Sequence, residues 1–177
     1  MWSLIFVTNL TALAISLAVL VLRRPLGVSK TFSQHAAQSN ALSAYYFVIF
    51  AVTLPLFCLF IYSWLIPAYE LSRATLYLFA VATVTQIACT LYPDRNSSRQ
   101  VFTHRLLAGI SAAFFFVTLL VLCVELTGTM RVVCIAGVGL MSLVAVATIS
   151  SKGKMALLLQ AAYYLGFFAP LLILTFV

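Results

Sequence analysis

A chain of 177 residues that is 64% apolar and only 7% charged cannot be a water-soluble domain, which would carry about a quarter charged residues. Mean hydropathy of +1.16 leaves lipid as the solvent that such a surface can face. The formal net charge of +7 does not point to nucleic acid, because the basic residues sit in short clusters between apolar runs and not along one face.

In lipid every backbone N–H and C=O must be satisfied within the protein, so a spanning chain is helical or a closed barrel. The apolar runs here are continuous and close to the ~20 residues that cross a bilayer core as a helix, which excludes ten-residue barrel strands. Six runs follow in chain order, at about 3–22, 41–66, 73–92, 106–126, 131–150 and 155–177. The expectation is a single all-α membrane domain of six transmembrane helices.

The first run stops at Arg23-Arg24-Pro25, since proline cannot continue a helix and arginine is costly in lipid. No basic segment precedes it, so it reads as a retained anchor and not as a cleaved signal. The loop that follows is the longest, and within it Ser33-Gln34-His35 reads as a helix start with Ser33 as N-cap, extending the second helix before it enters lipid. Pro67 marks the end of the second helix, Tyr92-Pro93-Asp94 that of the third, Thr127-Gly128-Thr129 that of the fourth and Ser151-Lys152-Gly153-Lys154 that of the fifth. Pro55 and Pro170 fall inside helices two and six, where kinks are tolerated.

Orientation follows from the basic residues. The first, third and fifth loops hold Arg23, Arg24, Lys30, Arg95, Arg99, Arg105, Lys152 and Lys154, whereas the other loops hold Arg73 and Arg131. The positive-inside rule then puts the odd loops in the cytoplasm and both termini outside. Trp2 and Trp64 fall at the outer interface, and Tyr45, Tyr46 and Tyr92 near the inner one.

Helices in lipid associate through small residues. Gly109 with Ala113, beside Ala108 and Ala112, marks a contact face on helix four, and Ala136, Gly137, Gly139 and Ser142 mark one on helix five, so these two are expected to pack closely. The neighbouring Phe114, Phe115, Phe116 and Val117 are expected to face lipid and neighbouring helices and not a cofactor. Cys58, Cys89, Cys123 and Cys134 lie in apolar runs with no zinc or disulfide spacing and read as packing residues.

Three polar residues stand within or at the ends of spans. Gln86 and Gln160 read first as partners in single interhelical hydrogen bonds, and Glu125 as one half of an interfacial ion pair with Arg131 or Arg73. The remaining constellation lies on the cytoplasmic side. His35, Asp94 and His104 could hold a metal or serve as acid and base on a lipid ester, with Arg99 and Arg105 suited to a phosphate head group.

The step Leu91-Tyr92-Pro93-Asp94, the His104 that opens the next helix, the phenylalanine-rich run behind it and the polar loop Ser33-Gln34-His35 carry a resemblance. In these the chain resembles the bacterial membrane family known as domain of unknown function 998, which is grouped distantly with DRAM- and Sfk-like proteins associated with lipid handling. The resemblance implies six helices, and it departs from the family in placing the polar loops inside. Three functions compete: lipid binding or modification at the cytoplasmic His/Asp/Arg cluster, a small-solute or ion permease, and a non-catalytic subunit of a homo-oligomer or larger membrane complex. No cofactor is specified by the sequence.

Overall fold

A computed structural model describes residues 1–23, 25–92 and 98–176. Six helices are long and apolar enough to cross a membrane: Trp2–Arg23, Asn40–Tyr69, Arg73–Leu91, Arg99–Glu125, Gly128–Ser150 and Ala156–Leu174. They are called spans one to six. The protein is therefore a polytopic, all-helical membrane bundle. Its two ends are distinct, because an even number of spans brings the termini together, and Ser3 donates a hydrogen bond to the carbonyl of Thr175 at 2.8 Å. The opposite end carries the long first loop.

Span two departs from a plain helix at its far end. Its α-helix Asn40–Phe60 passes into a π turn, Ile61–Leu65, and then into Ile66–Tyr69. Pro67 has no N–H to donate and its ring crowds the preceding turn, and the widened turn ahead of it accommodates both. The helix runs past Pro67 and ends only where Glu70 takes a left-handed conformation.

Span four also corrects the expected boundary. Its helix begins at Ser98, about two turns earlier than the apolar run, so Arg99, His104 and Arg105 stand on the helix and not in a loop. Polar residues at 98–105 do not stop a helix that projects beyond the hydrocarbon. The turn to span five is only Leu126-Thr127, and Gly128 already begins the next helix.

The core is aromatic. Phe6, Phe50, Phe57, Phe60, Phe79 and Phe167 are among the largest fully buried side chains. Phe115 belongs with them at 2% exposure, facing a neighbouring helix and not lipid, and its ring lies 4.8 Å from that of Phe167. Small residues also act elsewhere than expected. A Cβ on Gly109 would meet nothing within 4 Å, so that glycine marks no contact face. Gly137 of span five is the close approach: a Cβ there would lie 2.5 Å from the Gly166 carbonyl oxygen of span six. Spans five and six therefore touch backbone to backbone. None of the four cysteines is joined in a disulfide.

The end that carries the termini is closed by caps. Glu125 accepts from the backbone N–H of Ser72 at 3.0 Å and from the Ser72 hydroxyl, which places a carboxylate at the positive N-terminus of span three. This replaces the expected ion pair. Arg131 instead donates to the carbonyls of Leu126 at 2.8 Å and Val124 at 3.0 Å, closing the C-terminus of span four. Tyr69 donates to the carbonyl of Leu174 at 2.7 Å and does the same for span six.

Candidate functional site

At the first-loop end the chain builds a collar. Thr31, not Ser33, is the N-cap of a separate short helix, Phe32–Ala36. Its side chain accepts from Gln34 N while Gln34 Oε1 accepts from Thr31 N, a reciprocal capping box. Span two does not continue from this helix but restarts at Asn40, with Ser39 as its own N-cap. The collar is docked on span six, where Phe32 N donates to Gln160 Oε1 at 3.0 Å and Leu157 N donates to the carbonyl of Val28 at 3.0 Å. Gln160 is thus a strut that holds the first loop over the bundle. His35 lies on this short helix and is fully buried.

His104 performs a similar structural task. Its Nδ1 lies 2.8 Å from the Tyr92 carbonyl oxygen and 3.1 Å from that of Cys89. Carbonyls only accept, so Nδ1 carries the proton and satisfies acceptors left over at the C-terminus of span three. Nε2 is then the acceptor nitrogen. The Cys89 sulfur lies 3.3 Å from Nδ1 and 3.7 Å from Nε2. A thiol activated by Nε2 would sit along that atom's in-plane axis, and so nearer to Nε2 than to Nδ1. The order is reversed here, and the thiol also reaches the His104 carbonyl at 3.5 Å. This geometry packs span three on span four and lacks the alignment of a nucleophile and its base.

Between these supports lies a chamber of about 290 Å³. Spans four, five and six line it with Ala108, Ala112, Val144, Thr148, Leu159 and Tyr163, and it reaches Tyr46 of span two and Gln86 of span three. Among the described residues no Lys, Arg, Asp or Glu lines it. Gln86 is 5% exposed and its carboxamide makes no hydrogen bond to any described residue. Tyr46, expected at the interface, is instead 2% exposed with its hydroxyl likewise unpartnered among the described residues. Both groups line the chamber and their polar atoms are not sealed in the protein, so water or a polar ligand there can pair them. Tyr163 donates to the Ala112 carbonyl at 2.7 Å and braces the wall.

The chamber has a floor. Phe115 lines it, and behind Phe115 the Phe79 and Phe167 rings stack with centroids 5.7 Å apart and planes 12° from parallel. On the far side of span six runs a second hollow, an apolar groove of about 630 Å³ between spans one and six. Leu10, Leu13, Leu17, Val21, Ala161 and Leu165 are among its walls. From Leu10 to Leu22 it rises about 18 Å at 1.5 Å per residue, roughly one leaflet of a ~30 Å core. Tyr164 belongs to the walls of both hollows, and Thr31 and Phe32 place the collar against both.

The residues singled out in the sequence fall into three groups. Gln86, Gln160 and His104 meet around the chamber. Arg99 and Arg105 are exposed on span four and are not among the chamber's lining, and Glu125 stands at the opposite end. Asp94 lies outside the described residues, and among the described ones no group of three His, Cys, Asp or Glu could hold a metal. Sequence reasoning missed Thr31, Tyr46, Cys89 and Tyr164. One signal was present: Gln160, Tyr163 and Tyr164 recur at i, i+3 and i+4 and form a polar stripe on an otherwise apolar span. No family model, curated protein or solved structure matches this chain.

Proposed function

We propose that this membrane protein binds a membrane lipid, with its chain in the groove between spans one and six and its head group in the chamber that Gln86 lines. The observation that carries the reading is that the two hollows share Tyr164 as a wall and both border the collar. An apolar slot one leaflet long, next to a mainly apolar chamber that carries Gln86, Gln160 and three tyrosines and no charged group among its described residues, suits an amphiphile with a weakly polar head. On the positive-inside rule the first-loop end lies in the cytoplasm, and the lipid belongs to the inner leaflet of a bacterial plasma membrane. The reading is one of binding, because the Cys89 and His104 geometry supplies no aligned base.

A permease would need a polar path between the two ends. Gln86 and Gln160 instead line the same chamber, and the Phe79, Phe115 and Phe167 rings stand beneath it. Ala14→Trp and Ala161→Trp, which fill the groove from its two sides, test lipid binding. Native mass spectrometry of the purified protein should show bound lipid lost in both variants, and lipid retained at wild-type occupancy in both would overturn the reading.

A further inference from the structure

Resting on that reading, we propose that the chamber selects a lipid whose head group is uncharged and bears hydroxyl or carbonyl oxygens, and that Gln86 reads it. The recognising chemistry is present on one side only. Gln86 offers two N–H donors and a carbonyl acceptor, is nearly fully buried in the wall of the chamber, and meets no described protein group. The Tyr46 hydroxyl adds one donor and acceptor on the opposing span. Such groups match an alcohol, an ester or a ring ketone.

A charged head group finds no counterpart. Phosphate and carboxylate are held by arginine forks or lysine ammonium groups, and none of the described residues around the chamber is either. His104 is the one imidazole in the lining, and its Nδ1–H is committed to the Tyr92 and Cys89 carbonyls. An ammonium head group would find no carboxylate among the described lining residues. Burying an unpaired charge there is far costlier than burying a hydroxyl that Gln86 can pair. The walls thus discriminate by what they lack as much as by what they offer.

The test measures equilibrium binding of tritiated monooleoylglycerol to purified protein in detergent, with competitors that keep the chain and change the head. Monooleoylglycerol should bind at least about ten-fold tighter than oleyl phosphate or oleylamine. Gln86→Leu should erase that preference while leaving the folded state intact, since no described protein group depends on Gln86. Gln86→Asn should retain part of it and guards against a folding artefact. Decylubiquinone in the same competition separates a ring carbonyl from a glycerol hydroxyl as the natural source.

Equal affinity for the anionic lipid, an unchanged preference in Gln86→Leu, or no binding of either neutral ligand would overturn the inference. Ala161→Trp separates this from the underlying reading. If it leaves every affinity unchanged, the chain does not lie in the groove, whereas the head-group preference stands or falls on Gln86 alone.

Discussion

At the end of the bundle that carries the termini, polar side chains mostly close helices, the buried hydroxyl of Thr75, which has no described partner, being the exception. Glu125 caps span three, Arg131 caps span four, and the Tyr69 hydroxyl closes span six. At the first-loop end, Thr31, Gln160 and His104 do comparable work, but Gln86 and Tyr46 are as deeply buried and have no described partner. The difference separates polar groups that hold the fold together from polar groups that a folded protein has left over. Gln86 and Tyr46 differ from Thr75 in lining a cavity, which leaves room for water or a ligand to pair them.

The largest expected effect contrasts a sealed contact with an open one. Gly137→Ala puts a Cβ against the Gly166 backbone oxygen and the Pro170 ring, and neither can swing away. It should lose about 3 kcal/mol of stability, the upper part of the range for overpacked cores. Gly109→Ala meets open space and should gain up to about 1 kcal/mol, because glycine inside a helix costs that much relative to alanine. Thermal unfolding in detergent checks both signs, and a loss at Gly109 as large as that at Gly137 would show that the contact faces are misplaced.

A smaller effect separates spent from unspent polar groups. Ser72→Ala removes the hydroxyl that Glu125 accepts from, at the N-terminus of span three, and should cost about 1 kcal/mol. Gln86→Leu, measured without added lipid, should cost nothing and can raise stability by up to about 1 kcal/mol, since it removes a buried amide with no protein partner. A destabilisation by Gln86→Leu equal to that of Ser72→Ala would place Gln86 among the structural groups.

The membrane class and the six spans were legible because hydropathy acts over twenty residues at a time, and local exceptions average out. Boundaries set by single residues were less so. Span four starts at Ser98 because a helix needs only backbone bonds to extend past the hydrocarbon, so the polar run from Ser98 to Arg105 reads as loop but is helix. Thr31 takes the N-cap from Ser33 because Gln34 sits three residues after it and completes the box. The chamber was illegible for another reason. Gln86 and Gln160 are 74 positions apart, and their meeting depends on how spans three and six are rotated, which a one-dimensional pattern does not encode. The rotation of span four, equally absent from the pattern, buries Phe115 and leaves Gly109 without a contact, against the expectation at Gly109.

The smallest expected effect concerns the arginines at the first-loop end. Arg99 and Arg105 are exposed on the first turns of span four, and a cluster of that kind serves either topology or a head group. If they serve topology, Arg99→Ala and Arg105→Ala should each leave monooleoylglycerol affinity within about two-fold, because substitutions at exposed sites away from the ligand change free energies by under about 0.5 kcal/mol. In the same preparations a membrane-impermeant thiol reagent, applied to intact cells, should label Thr129→Cys and spare Lys152→Cys, since those positions lie at opposite ends of span five. If the arginines hold an anionic head group instead, each substitution should weaken oleyl phosphate binding about ten-fold or more and leave the neutral lipid untouched. That pattern would move the site from the chamber to the surface, and with it the boundary between the part of this protein that holds the fold and the part that binds.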